Sequence, residues 1–258
     1  MARSSGRSVL LLGDFIVRRQ PKGMAWQMRD KDKYDQPDNP AARTEPVSLG
    51  APLRCDFVGG AVNHRMRFGG GRGQDLPKAL GLKPGVNPHI IDATAGLGRD
   101  AFLLASLGAT VTLIERSADM HELLRDGMAR AFDAGGITAE IVGRMTLIHG
   151  DAITLLPTLL PEIVLVDPMH PARNKSALVK AEMRQIRALV GVDDDQAELL
   201  QTALAHASKR VVLKWPAKAA AMVGIRAPSH QIIGKSVRYD VFMQPQSTMT
   251  KTATVTKT

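Results

Sequence analysis

The sequence predicts an α/β protein: a mostly parallel seven-stranded sheet with a C-terminal antiparallel hairpin, preceded by a small β-rich N-terminal extension. Three observations carry this expectation. From Pro88 onward, short apolar runs of strand length alternate with helical stretches, the rhythm of a parallel sheet covered by helices on both faces. The first of these strands runs into a glycine-bearing turn, Asp92 to Asp100, that opens a helix. The last two apolar runs are separated by only a few residues, too few for a crossover, so they pair antiparallel.

The elements follow in order. Val9–Leu12 and Phe15–Val17 read as strands, and the polar stretch from Arg29 to Pro46, with Pro37, Pro40 and Pro46, reads as a loop. Residues 57–73 are glycine-rich and basic, and a short helix is expected over Gln74–Gly81. Then come strand His89–Ala93, helix Arg99–Leu107, strand Thr110–Glu115 and helix Ala118–Ala134. Strand Met145–His149 is followed by a short helix, strand Glu162–Val166 by helices Ala177–Val190 and Gln196–Ala207. Strand Arg210–Lys214 and the hairpin of Gln231–Ile233 with Val237–Met243 complete the sheet. The Thr- and Lys-rich stretch Gln246–Thr258 is expected to be disordered. The domain reading is an extension over 1–73, an α/β domain over 74–245 and a tail over 246–258.

Composition narrows the partners. Lys and Arg number 34 against 25 Asp and Glu, a net charge of +9 that favours a polyanion, because cations gain by releasing counterions from phosphates. Residues 1–72 hold 13 of those cations and 7 of those acids, net +6. The one cysteine, Cys55, allows no disulfide within the chain, fits a reducing compartment and reads as a buried thiol. Arg3 and Arg7 precede Val9–Leu12, but Gly13-Asp14 ends that run too early for a signal-peptide core. No run spans a membrane, so a soluble cytoplasmic protein is expected. The seven histidines lack ligand spacing, and no metal site is expected.

Four motifs carry chemistry. In Asp92-Ala93-Thr94-Ala95-Gly96-Leu97-Gly98-Arg99-Asp100, Gly96 and Gly98 let the backbone approach a ligand and the helix start offers free N–H groups. No Gly-Lys-Ser/Thr follows, so it is not a phosphate-binding P-loop, and a tight strand-to-helix turn is the plain alternative. Glu115 ends the next strand, where a carboxylate can accept both hydroxyls of an adenosine ribose. Asp151, in His149-Gly150-Asp151-Ala152, can accept from an adenine amino group or simply cap a helix. The run Val164-Leu165-Val166-Asp167-Pro168-Met169-His170-Pro171 delivers an acid, a proline and a ring to the carboxyl edge of the sheet, where open α/β folds bind ligands.

This last run resembles the Asp/Asn-Pro-Pro-aromatic motif of amino-group methyltransferases, and a parallel sheet closed by a hairpin is the arrangement of their class I (Rossmann-like) fold. The resemblance extends further, through Phe57-Val58-Gly59-Gly60, His64-Arg65, Gly69–Gly73, Asp92–Asp100, Asp167-Pro168-Met169, Lys175–Lys180 and Lys209-Arg210-Val211-Val212. Together these are similar to the bacterial small-subunit rRNA guanine-N2 methyltransferase family J, over roughly residues 55–243. The resemblance implies an S-adenosylmethionine-dependent enzyme that methylates one guanine of 16S rRNA on its exocyclic amine. It maps cofactor contacts onto Arg99, Asp100, Glu115, Arg116, Asp151, Ala152 and Asp167, beside Asp92, Gly96 and Gly98 of the first motif. Asp167 and a carbonyl beside Pro168 would accept from the target amine, and His170 would stack on the base where the family carries an aromatic residue. The first 50 residues match the family poorly.

Arg65, Arg67 and Arg72, and beyond the motif Arg173 and Lys175 with Lys180, are read as contacts to rRNA phosphates, against the alternative of solvated surface charge. Trp215 reads as a packed core residue rather than a stacking platform. Two rival functions remain open: methylation of a DNA adenine or protein glutamine, which uses similar acid-Pro motifs, and non-catalytic RNA binding on a methyltransferase fold. The partner expected is 16S rRNA or the small ribosomal subunit, with no membrane and no metal.

Overall fold

A computed structural model describes the backbone of strands over 9–12, 15–20 and 23–28, and residues 53–59, 65, 69–168 and 195–245 in full. The expected helix Ala177–Val190 and tail 246–258 lie outside the described residues. Near the N-terminus, β1 (Val9–Leu12), β2 (Phe15–Gln20) and β3 (Gly23–Met28) form an antiparallel meander. The first two strands were expected.

The main sheet has seven strands: β4 (His89–Asp92), β5 (Thr110–Glu115), β6 (Met145–His149), β7 (Ile163–Val166), β8 (Arg210–Pro216), β9 (His230–Ile233) and β10 (Val237–Met243). Their order is β6-β5-β4-β7-β8-β10-β9, parallel from β6 through β8. β10 runs antiparallel to both β8 and β9, the expected closing hairpin. The helices are α1 (Asp75–Leu80), α2 (Arg99–Ser106), α3 (Ala118–Asp133), α4 (Gly136–Val142), α5 (Ala152–Leu159) and α6 (Gln196–His206). α4 was not foreseen. Gly135 and Gly136 both take positive φ, 72° and 59°, and a glycine pair after a long helix reads as the start of a loop.

Strand side chains alternate between faces, and the buried strands divide accordingly. In β7, Ile163 and Leu165 join one apolar cluster, with α1, α2, α3 and α4, while Val164 and Val166 join the other, with α5 and α6. β8 repeats this, with Val212 on the first face and Val211 and Leu213 on the second. A strand buried on both sides must be apolar throughout, so Ile163–Val166 reads as one continuous run. Of the helices, none of the described ones is long and apolar enough to cross a membrane.

Residues 53–57, assigned from sequence to the extension, pack into the first cluster through Leu53, Cys55 and Phe57. The Phe57 ring stacks on Phe102 of α2 with centroids 5.0 Å apart. Arg130 of α3 donates to the Cys55 carbonyl at 2.7 Å. Gly127 explains the closeness of this segment to α3, since a Cβ there would stand 2.6 Å from the Cys55 Cβ. Burial pushes the Cys55 thiol up to about 12, so the thiol is an inert core group.

Candidate active site and cofactor cradle

The strand order reverses between β4 and β7, and at such a point the loops leaving two adjacent parallel strands diverge and open a crevice at their carboxyl ends. Here those ends deliver Asp92 and Asp167. The two loops are tied together: the Ala93 N–H donates to the Leu165 carbonyl at 2.9 Å, and the Asp167 N–H donates to Thr94 Oγ1 at 2.7 Å. Thr94 therefore fixes the start of the Asp167-Pro168 turn, a role its sequence position did not announce.

On one side of this junction a cleft of about 600 Å³ is bounded by the ends of β4, β5 and β6 and by the start of α6. Its walls include Gly96, Glu115, Arg116, Asp151, Ala152 and Asp167, with apolar surface from Ile114, Ile153 and Leu199. The buried Glu115 carboxylate accepts from the Gly96 N–H at 3.0 Å through Oε2 and from the Ser117 N–H at 2.9 Å through Oε1. These bonds fix the carboxylate and the glycine turn against each other. Asp151 caps α5 by accepting from the Ile153 N–H at 2.9 Å, so the capping reading holds while the residue also lines the cleft. Arg116 pairs with Asp195 at 2.7 Å across the cleft, joining β5 to the start of α6.

On the other side a wider cavity of about 1220 Å³ is lined by Arg65, Asp92, Arg99, Asp100, Lys214 and Trp215 among others. It shares Thr94, Gly96, Asp167 and Pro168 with the first cleft, so the two are lobes of one site that meet at the Asp167-Pro168 turn. A chain of ion pairs crosses this lobe. Arg65 Nη1 donates to Asp100 Oδ1 at 2.7 Å, Lys214 Nζ donates to Asp100 Oδ2 at 2.7 Å, and the same Nζ donates to Asp167 Oδ2 at 2.6 Å. Burial opposes ionisation of Asp100, but Lys214 and Arg65 outweigh it and hold the carboxyl below its usual range. For Asp167, desolvation wins over the Lys214 ammonium and the carboxyl is raised. Burial works against the Lys214 charge, yet Asp167 and Asp100 keep its ammonium above the usual range. Asp92, 3% exposed, is pushed up to about 7 by burial, with its Oδ1 accepting from the Thr94 N–H at 3.2 Å.

The structure thus gathers Asp92, Gly96, Arg99, Asp100, Glu115, Arg116, Asp151, Ala152, Asp167 and Pro168 around the two lobes. Gly98 lies outside both linings. It takes φ of 67° at the start of α2, where a Cβ would meet Leu124 Cδ1 at 2.7 Å and Phe57 Cζ at 3.1 Å, so it permits packing. Arg65, read from sequence as a phosphate contact, joins the ion-pair chain of the site with its side chain 38% exposed. Arg72 donates to the Leu107 carbonyl at the end of α2, with Nε buried and unpartnered among the described residues. Arg67, His170, Arg173, Lys175 and Lys180 lie outside the described residues. Trp215 is packed, its Nε1–H donating to the Ala220 carbonyl at 2.9 Å. Lys214 is the principal residue that the motifs missed. Its signal was a lysine inside the run Val211-Val212-Leu213-Lys214-Trp215, where a charge needs a buried partner. Among the described residues, no three His, Cys, Asp or Glu side chains gather to hold a metal.

A seven-stranded sheet of this order, with a glycine turn after its central strand and an acid ending the next, defines a class I S-adenosylmethionine-dependent methyltransferase. The family described as "Putative SAM-dependent methyltransferase" matches residues 41–244. Ribosomal RNA small subunit methyltransferase J of Agrobacterium fabrum is 67% identical over 188 residues, 73% of this chain and 90% of the relative. The protein of the same name from Brucella anthropi is 66% identical over 192 residues, 74% of this chain and 94% of the relative. The crystal structure of an S-adenosylmethionine-dependent methyltransferase from Neisseria gonorrhoeae superimposes with a TM-score of 0.62 at 31% identity, covering 94% of this chain and 85% of that one. The chain belongs to the ribosomal RNA small subunit methyltransferase J family and is an S-adenosylmethionine-dependent methyltransferase.

Proposed function

We propose that this protein methylates the exocyclic N2 amine of a guanine in 16S rRNA, acting in the cytoplasm on the rRNA or the small ribosomal subunit. The observation that carries the reading is the Asp167-Pro168 turn at the junction of the two lobes, where a donor held in one meets an acceptor entering the other. The relatives' names supply the rRNA class, and the net charge of +9 suits a polyanion.

The residues present fit the cofactor. Glu115 stands where a ribose diol is accepted, Asp151 stands beside apolar surface suited to an adenine, and Asp92, Gly96 and Arg99 bound the passage into the second lobe. When bound, S-adenosylmethionine supplies a methyl group already activated by its sulfonium. The guanine amine is a poor nucleophile because its lone pair is delocalised into the ring, so the enzyme's contribution is alignment and acceptors rather than a strong base. Among the described residues, Lys214 engages Asp167 only through Oδ2. Oδ1 is left to accept one N–H of the amine, and a carbonyl beside Pro168 accepts the other. His170 is assigned to stacking on the base.

The test is labelled methyl transfer from S-adenosylmethionine, offered in parallel small-subunit rRNA, DNA and protein. Label in rRNA is expected. Label in DNA or protein would place the chain among the other amino-group methyltransferases, and cofactor binding with no transfer would make it an RNA-binding protein.

A further inference from the structure

We propose that Lys214 is a positioning residue for methyl transfer: its ammonium holds the Asp167 carboxylate ionised and aimed, and the Asp100–Arg65 pair holds Lys214 in place. This rests on the reading of Asp167 as the acceptor for the target amine.

The geometry comes from four separate parts of the chain. β8 presents Lys214, the β7 loop presents Asp167, α2 presents Asp100, and the segment before α1 presents Arg65. Nζ lies 2.6 Å from Asp167 Oδ2 and 2.7 Å from Asp100 Oδ2, so one ammonium bridges two carboxylates. Arg65 takes the remaining Asp100 oxygen at 2.7 Å. Signs therefore alternate along the chain Arg65, Asp100, Lys214, Asp167, two cations against two anions. A lysine bound only to Asp100 would leave Asp167 beside a second anion with no cation of its own, and its carboxyl would take up a proton more readily. A protonated acid holds one oxygen as a donor and accepts weakly, which is the wrong property toward an amine N–H. By fixing Oδ2, Lys214 also restricts rotation of the carboxylate, which leaves Oδ1 in one position.

The groups facing this cluster are Asp92 on β4, Asp100 on α2, Arg65, and Tyr239, which pairs directly opposite Lys214 on β10. Asp92 also feels the Lys214 charge, so Lys214→Met moves its titration in the same direction, and repeating the comparison in an Asp92→Asn background assigns the moved limb to Asp167. The sign is fixed by chemistry. The active form of Asp167 is the anion, so activity falls on the acid side. Loss of a neighbouring cation raises the carboxyl further and moves that limb toward higher pH.

The experiment measures single-turnover transfer at saturating S-adenosylmethionine across pH for wild type, Lys214→Met and Lys214→Arg, with cofactor affinity by calorimetry as the check on folding. Lys214→Met is expected to slow transfer at neutral pH by about 10- to 100-fold, the scale of a lost charged hydrogen bond. Its acid limb should move up by about 1–3 pH units, with part of the rate recovered in alkali. Lys214→Arg keeps the cation, so its limb should stay with wild type even where its rate falls, and it remains informative should the Met variant fail to fold. A Met variant that loses rate with its limb unmoved, or Met and Arg variants whose limbs move alike, would overturn the proposal. The acceptor of the wild-type methyl is identified first. Transfer to something other than guanine N2 would refute that reading while leaving the Lys214 comparison to be scored on the true acceptor.

Discussion

Gly96 and Gly98 sit two residues apart in one turn, both with positive φ, and they should fail in different ways when replaced by alanine. At Gly98 two costs add. A left-handed non-glycine residue costs about 1–2 kcal/mol. The new methyl would also stand 2.7 Å from Leu124 and 3.1 Å from Phe57, inside a cluster that cannot open freely. Such overpacking costs about 1–3 kcal/mol. Gly98→Ala should therefore destabilise by roughly 2–5 kcal/mol, a fall in Tm of roughly 4–20 °C for a domain of this size. At Gly96 the nearest atom to a Cβ is the Thr94 carbonyl oxygen at 3.9 Å, so only the backbone cost of about 1–2 kcal/mol applies. Gly96 lines both lobes and donates to Glu115, so its methyl would enter the space a cofactor needs. Urea unfolding and calorimetric titration with S-adenosylmethionine, on the same two proteins, separate the effects. Gly98→Ala should lose mainly stability and Gly96→Ala mainly cofactor affinity. Equal loss of stability at both, or a Gly98 variant of wild-type stability with impaired binding, would refute the division of the turn into a packing glycine and a lining glycine.

Replacing Glu115 by alanine should weaken S-adenosylmethionine binding by about 1.5–3 kcal/mol, read by calorimetry, because hydrogen bonds to a charged group are lost. Arg72→Met should lower stability by about 1–3 kcal/mol in urea, through the unpaired Leu107 carbonyl, and leave the salt dependence of rRNA binding unchanged. Asp92 has a folded pKa of about 7, above its ordinary 3.8, so the folded state holds the extra proton and its contribution to stability declines as pH rises from about 4 to 7. Asp92→Asn should remove that decline, so its stability relative to wild type should rise across the same window in urea titrations. His170→Ala should slow single-turnover methylation by about tenfold or more, while His170→Phe retains the rate if the ring stacks; a rate that titrates near pH 6.5 would indicate proton transfer instead.

The sheet was legible because its signals are local. The apolar run within Glu162–Val166 reads as a buried strand, Glu115 announced itself by ending a strand, and Asp151 by following one just before a helix. What was not legible depended on contacts between distant segments. Arg65 and Arg72 look alike in a basic, glycine-rich stretch, yet one is captured by Asp100, 35 residues away, and the other by the Leu107 carbonyl. Charge alone does not say which cations are held by partners within the protein. Gly98 could not be told from Gly96 by spacing, since the difference lies in Leu124 and Phe57, which pack behind only one of them. Lys214 was overlooked because its role exists only when β8 lies beside β7 and brings the ammonium to Asp167. Cys55 and Trp215 followed their composition-based expectations, since burial is the default for both.

Which atom receives the methyl group decides between the guanine amine and every other acceptor. The most direct measurement is to digest small-subunit rRNA methylated by the purified protein with labelled S-adenosylmethionine and to separate the nucleosides. The label is predicted to run as N2-methylguanosine, and to vanish with Asp167→Ala in a folded protein that still binds cofactor. Label in any other nucleoside, or undiminished transfer by that variant, would contradict the assignment of Asp167 as the acceptor for the guanine amine.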